Sequence, residues 1–320
     1  MNNSRFISVY MNKNPAISVV MSAYNASKFL KEAVESILNQ TFQNFEFIMI
    51  NDGSSDNTLE ILQHYAQIDS RCIVLSWDNK GIIESVNHGI KLAKADIICR
   101  MDADDISLPN RFEKQIEYLN SHSECVALGT NALLIDPEGM PINTWIYEQD
   151  HDEIDAANLK GTYGSRFCNP SVAIRKESIL SIGGYRTGYE WAEDYDLFLR
   201  LAEIGKLANL PEALVKYRQH VESVGHAKRI LQLEASISAL EDTFKRRNLT
   251  FDLKTDLKKK ANEYSPPSKS ETELKWGWWA LSEKNYLTSL KYATKALLQN
   301  PFNFKGINLL ACVIRDFYFK

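Results

Sequence analysis

The chain has no cysteine pair at metal-binding or redox spacing. Its five cysteines, Cys72, Cys99, Cys125, Cys168 and Cys312, are scattered and odd in number. That excludes a disulfide framework and a CxxC zinc site, and leaves reduced thiols of the kind kept in the cytoplasm. No stretch approaches the ~18 uninterrupted apolar residues of a spanning helix, and Met1 to Pro15 contain no apolar leader core. Neither a membrane span nor a signal peptide is therefore expected, and any membrane contact would be peripheral, on the inner face. A GxGxxG fingerprint is missing, against a dinucleotide oxidoreductase. Also missing is a glycine-rich phosphate loop with a basic residue near the first apolar run, against a nucleotidyltransferase. A basic front half is lacking too: the formal charge of −4 hides 17 Lys/Arg against 10 Asp/Glu in residues 225–320, so residues 1–224 carry −11. Nucleic acid is excluded as a main partner, because phosphate binding needs a basic face.

What is present is enough for a large core: 320 residues, 44% of them apolar, suit one large domain or a domain with an appendage. Ala16 to Ala23, Phe45 to Ile50, Cys72 to Trp77 and Asp96 to Met101 are β-branched or apolar runs of strand length. Each of the first three is followed by a polar break and a stretch with helical apolar spacing, as in Phe29, Leu30, Ala33, Val34, Ile37 and Leu38 behind Ser27. Alternating strands and helices imply a parallel sheet flanked by helices, with ligands beyond the carboxyl ends of the strands. The loops at Tyr24-Asn25, Asn51-Asp52-Gly53, Asn79-Lys80-Gly81 and Asp102 to Asp105 then share one edge.

The fourth of these loops organises the rest. Ile97-Ile98-Cys99-Arg100-Met101 ends in Asp102-Ala103-Asp104-Asp105. Side chains at i and i+2 of an extended chain point the same way, so Asp102 and Asp104 can converge on one hard cation such as Mg²⁺ or Mn²⁺. The alternative is that Asp104 and Asp105 cap the helix beginning near Asn110 or solvate a turn.

Beyond the helix Arg111 to His122, short strands are expected at Cys125 to Gly129, Leu133 to Asp136 and Ile142 to Tyr147, as antiparallel elements around the turn Pro137-Glu138-Gly139. A polar helix over Asp152 to Lys160, a strand over Cys168 to Ile174 and a short helix over Lys176 to Ile182 follow. After Gly183-Gly184, a helix carries Tyr195, Leu197, Phe198, Leu201 and Ala202, and Val215 to His220 reads as a last strand. From His226 the chain is helical and basic, with a linker at Tyr264 to Ser268 and, beyond it, one tetratricopeptide-like helix pair read as a helical cap. Boundaries are therefore expected at 1–225 for the main domain and 226–320 for a helical extension, with the linker near 264–270.

Taken together, Ser18-Val19-Val20-Met21-Ser22-Ala23-Tyr24-Asn25, Ile50-Asn51-Asp52-Gly53-Ser54-Ser55-Asp56, Asn79-Lys80-Gly81, Arg100-Met101-Asp102-Ala103-Asp104-Asp105, Gly183-Gly184-Tyr185 and Glu193-Asp194-Tyr195-Asp196-Leu197 resemble, in order, the family 2 glycosyltransferases. The resemblance covers about residues 15–225. It implies the α/β nucleotide-sugar-binding fold called GT-A and inverting transfer from a nucleoside diphosphate sugar, commonly UDP-linked, to a hydroxyl of a glycan or glycolipid. It further implies a place in cell-surface polysaccharide assembly. The helical tail lies outside it.

By the same resemblance, Asp52 reads the base, Asp104 ligates Mn²⁺ or Mg²⁺, Asp102 lies at the ribose or beside the metal, and His220 adds a metal ligand. The donor would run past Ala23, Tyr24, Asn25, Gly81 and Ala103. Lys80 and Arg100 would add positive charge near the phosphates or stay in ion pairs. Asp194 matches the catalytic base, with Glu193 as the other candidate; a base is required because the acceptor hydroxyl must lose its proton as it attacks. Tyr189 and Trp191 would form an apolar platform for the acceptor or pack in the core. The chain departs from the family in reading Ser85-Val86-Asn87 where many relatives place an Arg before that Asn. A second function class stays open at this point, a catalytically silent sugar-nucleotide-binding or scaffold subunit. For the tail, contact with an anionic membrane or a protein through Trp276, Trp278, Trp279 and the surrounding lysines is expected.

Overall fold

The computed structural model describes residues 14–161, 164–220, 228–252 and 254–318. The chain opens with the expected repeats: β1 (Ile17–Ala23), α1 (Leu30–Leu38), β2 (Phe45–Asp52), α2 (Thr58–Ile68), β3 (Cys72–Trp77), α3 (Ile82–Leu92) and β4 (Ile97–Asp102). Then follow β5 (Ile106–Ser107), α4 (Arg111–Ser121), β6 (Cys125–Ile135), β7 (Pro141–Trp145), α5 (His151–Leu159), β8 (Ala173–Arg175), α6 (Lys176–Ser181), α7 (Glu193–Leu201) and β9 (Lys206–Arg218).

The strands form one mixed sheet in the order β3-β2-β1-β4-β8-β6-β9-β5, with β7 beside β6. β1 to β4 are mutually parallel, and β8 runs against both β4 and β6. Period-2 alternation sorts the side chains onto two faces. Val19 and Met21 pack under α1, α2 and α4, whereas Val20, Ile48 and Ile50 meet α3, α6 and α7. Both faces are covered, which is why β1 and β2 are apolar along nearly their whole length.

Several boundaries differ from expectation. The two strands expected at Cys125 to Gly129 and Leu133 to Asp136 are one strand, β6, because the polar trio Gly129-Thr130-Asn131 is satisfied inside the sheet. Thr130 N donates to Ser171 Oγ at 3.1 Å, and Asn131 Nδ2 to the Pro211 carbonyl at 2.7 Å. The last strand starts at Lys206 rather than Val215, and it runs parallel to β6 rather than antiparallel. Pro211 interrupts the periodicity but is absorbed by a register shift opposite Thr130 and Asn131. β7 ends at Trp145, two residues short of Tyr147. Ser27 caps nothing in α1, whose N-cap is Phe29 without a side-chain bond.

The tail is helical at Arg229–Arg246, Lys254–Glu263, Lys269–Ser282, Tyr286–Gln299 and Phe304–Tyr318. Ser268 closes the extended stretch Tyr264 to Ser268 with a capping box to Glu271. Helix Arg229–Arg246 packs on α7 through Ile237, Ala239 and Leu240 against Tyr195 and Leu199. Farther on, Trp276 and Tyr292 pack on Leu134 and Ile142 of the sheet. Trp276, expected on a contact surface, is thus interior at 2% exposure, and Trp279 is partly buried beside it. No helix among the described residues is long and apolar enough to cross a membrane.

Candidate functional site

Register brings the ends of the parallel strands to one level: Ala23 lies opposite Asn51, Ser22 opposite Asp102, and Asp52 opposite Trp77. The loops leaving this edge are tied together. Asn25, in the left-handed region at φ 48°, accepts from Ser55 N at 2.9 Å, and its own N–H donates to Ser54 Oγ at 3.0 Å. Ala26 N donates to Thr58 Oγ1, and Ser27 N to Asp56 Oδ2. Burial alone would raise the Asp56 pKa, but the bonds from Thr58 and Ser27 outweigh it and hold the carboxyl at about 2. Tyr24 stays exposed at the rim, above buried Ala23.

Asp52 is buried and accepts from Lys80 N at 2.9 Å, Gly81 N at 2.9 Å and the Trp77 indole at 3.1 Å. An ionised carboxylate offers about four acceptor positions, so one remains for a ligand N–H. Gly53 makes the arrangement feasible. At φ +74° it tolerates a backbone that L side chains avoid, and a Cβ there would lie 2.4 Å from Asn79 N. Lys80 leaves its backbone on Asp52 and sets its ammonium 5.5 Å from the Trp77 ring centre. Gly81 faces open space.

Arg100 is interior, at 2% exposure. It donates to the Val20 carbonyl at 3.0 Å and to Asp102 Oδ1 at 2.9 Å, so the ion-paired alternative is the one observed. Burial opposes its charge, yet Asp102, Tyr185 and Glu193 hold its pKa above the usual value. The Asp102 carboxyl is raised by burial, with Asp104 adding repulsion and Arg100 opposing it.

Asp104, beyond buried Ala103, points a carboxylate oxygen at His220 Nε2, 3.0 Å away. The other ring nitrogen, Nδ1, is buried without a hydrogen-bond partner, and the ring leans on Phe29 with centroids 5.8 Å apart. Asp105 does not cap α4, which begins at Asn110 without a side-chain bond. It is 1% exposed and accepts from Arg218 N at 2.7 Å across the sheet, while its Oδ2 is buried and unpaired. Burial and the neighbouring Asp104 and Asp102 push its pKa well above the usual carboxylate range.

Glu193 and Asp194 form the first turn of α7, where the helix dipole favours negative charge. Asp194 Oδ1 accepts from Tyr195 N at 2.7 Å. Burial nevertheless raises Asp194 to about 6, against the Tyr195 bond and with Asp102 adding repulsion. Glu193 is raised to about 7 by burial and by Asp194, and its Oε2 is buried without a partner. Two carboxyls this close titrate as a pair. Asp102 and Arg100 act on both, so the end of β4 and the start of α7 lie close together.

Trp191 precedes this helix with φ +76°, a strained setting for a bulky residue, and Lys228 Nζ lies 5.8 Å from its ring centre. Tyr189 turns the other way. Its hydroxyl donates to Asp242, Arg186 lies over its ring at 4.5 Å, and it packs with helix Arg229–Arg246. Ser85, at the departure from the family pattern, is buried and accepts from the Trp77 indole at 3.2 Å. Asn87 pins the backbone of Tyr185 by two bonds.

Arg218 escaped the sequence reading. It reaches the carbonyls of Asp104 at 2.9 Å and Pro137 at 3.0 Å, pairs with Glu32 at 2.5 Å, and lies over Phe29 at 4.5 Å. Buried Arg111 likewise supports the strand, donating to the Arg100 carbonyl at 2.8 Å. The only signal for Arg218 was its place two residues before His220.

Among the described residues, no three His, Cys, Asp or Glu side chains form a preformed metal cage. Asp104 and His220 do fit a divalent cation that takes its remaining ligands from water and phosphate. They supply a hard oxygen and an imidazole, and the otherwise orphaned Nδ1 shows that the ring's hydrogen bonding is incomplete without a further ligand or proton acceptor.

Residues 18–181 match the family described as Glycosyl transferase family 2. The "O-antigen biosynthesis glycosyltransferase WbnJ" of Escherichia coli is 33% identical over 238 residues, 73% of this chain and 91% of that protein. Among solved structures, S. aureus TarS 1-349 in complex with UDP-GlcNAc superposes with a TM-score of 0.59 at 15% identity, covering 94% of this chain and 91% of that one. The mannosyltransferase PcManGT from Pyrobaculum calidifontis, in complex with GDP-Man and Mn²⁺, gives 0.55 at 16% identity, with 99% and 92% covered. At these identities the two structures speak for the fold.

Proposed function

The chain belongs to glycosyl transferase family 2, and from that premise we propose that it moves a sugar from a UDP-linked donor to a hydroxyl of a glycan or lipid-linked acceptor, with inversion, in cell-surface polysaccharide assembly. The observation that supports the proposal is Asp194 in the first turn of α7, its carboxyl raised to about 6 by burial and within electrostatic reach of Asp102 at the end of β4. A base whose pKa lies near the working pH is ionised before reaction and still basic enough to take a proton.

In this reading Asp52 accepts from the base of the nucleotide and Asp102 borders the ribose. The acceptor hydroxyl donates its proton to Asp194 as its oxygen bonds the anomeric carbon. The bond from that carbon to the diphosphate oxygen breaks on the opposite side, so a single displacement inverts the centre. Asp104 and His220 would hold a divalent cation, which when bound neutralises charge on the departing diphosphate. Glu193, raised to about 7, keeps a proton close to Asp194. Trp191 borders the acceptor side. Support from relatives is of three kinds: WbnJ is named for O-antigen biosynthesis, TarS holds UDP-GlcNAc, and PcManGT holds GDP-Man with Mn²⁺.

The test is a thermal-shift screen of nucleoside diphosphate sugars with and without Mn²⁺, followed by transfer assays with the donor found. A bound donor raises the melting temperature by mass action. Asp194→Asn is expected to keep donor-induced stabilisation and lose transfer by about a hundredfold or more. Near-normal turnover in Asp194→Asn would refute the base, and hydrolysis of or transfer from no sugar nucleotide in the panel with Mn²⁺ would favour a catalytically silent sugar-nucleotide-binding or scaffold subunit.

A further inference from the structure

Three aromatic side chains lie near the site without a part in the transfer chemistry. Tyr189 turns away to Asp242, but Trp145, Tyr147 and Tyr217 are each half-buried. Arg218 and His220 both turn to Phe29, on the side of α1. Tyr217, one position before Arg218 on an alternating strand, therefore points to the opposite face of the sheet, which α7 covers. Trp145 stands beside it, with ring centres 5.3 Å apart, and packs in turn on Trp276 and Trp279 of the tail.

Tyr147 is fixed by its backbone N–H, which donates to Asn131 Oδ1 at 2.9 Å. Burial raises the Tyr217 phenol well above its usual pKa, with Asp105, Cys168, Asp104 and Asp102 adding to the effect. The Tyr147 phenol is raised by burial, with Cys168, Asp194 and Glu148 adding and Arg166 opposing. One hydroxyl is thus within electrostatic reach of the acidic loop and the other of Asp194. Neither has a hydrogen-bond partner among the described residues, and neither is sealed from solvent. A tyrosine hydroxyl set this deep ordinarily finds a partner, so these two are open to a ligand.

The cations beside this wall are already engaged. Arg166, over the Tyr147 ring at 5.8 Å, is held by Glu148 through bonds of 2.7 and 2.9 Å. Arg100 is held by Asp102, and Lys228 stands over Trp191. An anionic group placed between the two phenols would face Asp194 and the acidic loop, and like charges in a partly dry site repel. A pyranose ring suits the same place, with a C–H face for the aromatic rings and hydroxyl groups for the two phenols. We propose that Tyr147 and Tyr217, beside Trp145, hold the acceptor as a neutral sugar ring with one of its hydroxyls presented to Asp194. The inference rests on the transfer reading for the role of Asp194, and it narrows the acceptor of that reading to an uncharged terminal sugar.

The experiment is a saturation-transfer NMR titration of the full chain with UDP and Mn²⁺ present. The neutral probes are methyl β-glucoside, methyl β-galactoside and methyl N-acetyl-β-glucosaminide, and the charged probe is methyl β-glucuronide. Binding of a neutral probe is expected, with the glucuronide about tenfold weaker or more. Tyr147→Phe with Tyr217→Phe should weaken the neutral probe about tenfold, through the loss of two hydrogen bonds. The melting temperature and the stabilisation by UDP should stay as in wild type, because neither hydroxyl bonds another described residue. Equal binding of the neutral probe by wild type and variant would overturn the proposal, as would a glucuronide bound as tightly as the neutral probes, or no neutral probe bound by wild type. Loss of UDP-induced stabilisation in the variant would also overturn it, by assigning the hydroxyls to the donor. Donor-induced stabilisation of the wild type, measured on the same preparations, shows separately whether the transfer reading stands.

Discussion

A link between the last tail helices and the site runs through Asp136, and it can be broken by one substitution. Asp136 is fully buried at the end of β6. It accepts from Glu138 N at 3.0 Å, Met140 N at 2.9 Å and Tyr292 Oη at 3.0 Å, and pairs with Lys291. Lys291→Met removes the one cation and leaves the carboxylate with three neutral donors. A wholly buried pair broken from one side costs about 3–5 kcal/mol. The Lys291 side chain is 27% exposed and the remaining donors stay in place, so about 2–3 kcal/mol is expected here, against under ~1 kcal/mol for a surface pair. Tyr292→Phe loses a hydrogen bond to a charged group, about 2 kcal/mol.

Equilibrium urea unfolding followed by tryptophan fluorescence measures both, and the cycle with Asp136→Asn isolates the coupling. The consequence should reach the site, because the carbonyls of Asp136 and Pro137 accept from Arg218, which also bonds Asp105 and the Asp104 carbonyl. In Lys291→Met, amides of residues 104–107 should exchange faster, and the Mn²⁺ concentration that half-saturates UDP binding should rise about threefold or more, a cost of ~0.7 kcal/mol. A destabilisation below ~0.5 kcal/mol, or a loss of stability that leaves exchange at residues 104–107 unchanged, would refute the chain of reasoning.

The pair on α7 should make the protein sensitive to pH in two ways. Transfer should fall as pH drops through about 6, where Asp194 takes a proton, visible as the acid limb of kcat/KM against pH. Because folding raises the Glu193 pKa to about 7, its contribution to stability is present below the ordinary carboxylate pKa and is lost as pH rises through about 7. Glu193→Gln should therefore be more stable than wild type at pH 8, by about 1–2 kcal/mol after allowance for partial exposure, and gain nothing at pH 4; urea midpoints at the two pH values decide it. Gly53→Ala should cost about 1–3 kcal/mol and loosen UDP binding, since a methyl at φ +74° would press on Asn79 N at 2.4 Å; calorimetry and a UDP titration give the two numbers.

How far the sequence reveals such a site depends on the distance over which each part is specified. β1 to β4 and their loops were legible because each strand is a continuous apolar run, and the polar residue after it must emerge at the sheet edge. That places Asp52, Asp102 and Asp104 at the edge, while the roles expected of them rest on the family resemblance. Asp105 did not, because its partner is 113 positions away, and a carboxylate just before a helix reads equally well as a cap. Thr130 and Asn131 broke β6 in two on paper for the same reason: their hydrogen bonds go to Ser171 and Pro211, which no local window contains.

Trp276 is the same problem at the scale of a domain. Its helix has apolar residues on more than one side, and nothing in its own fourteen residues says that Leu134 and Ile142 wait beneath it. Once that face is known to be occupied, the remaining apolar residues change meaning. Leu298, Phe302 and Phe304 no longer have a core to join, and the tail divides into a face that braces Asp136 and a face directed outward. The two faces make separable demands on substitution: Lys291→Met should disturb the site, whereas Phe302→Ser with Phe304→Ser, at rings already in water, should leave both the melting temperature and the Mn²⁺ dependence of UDP binding unchanged.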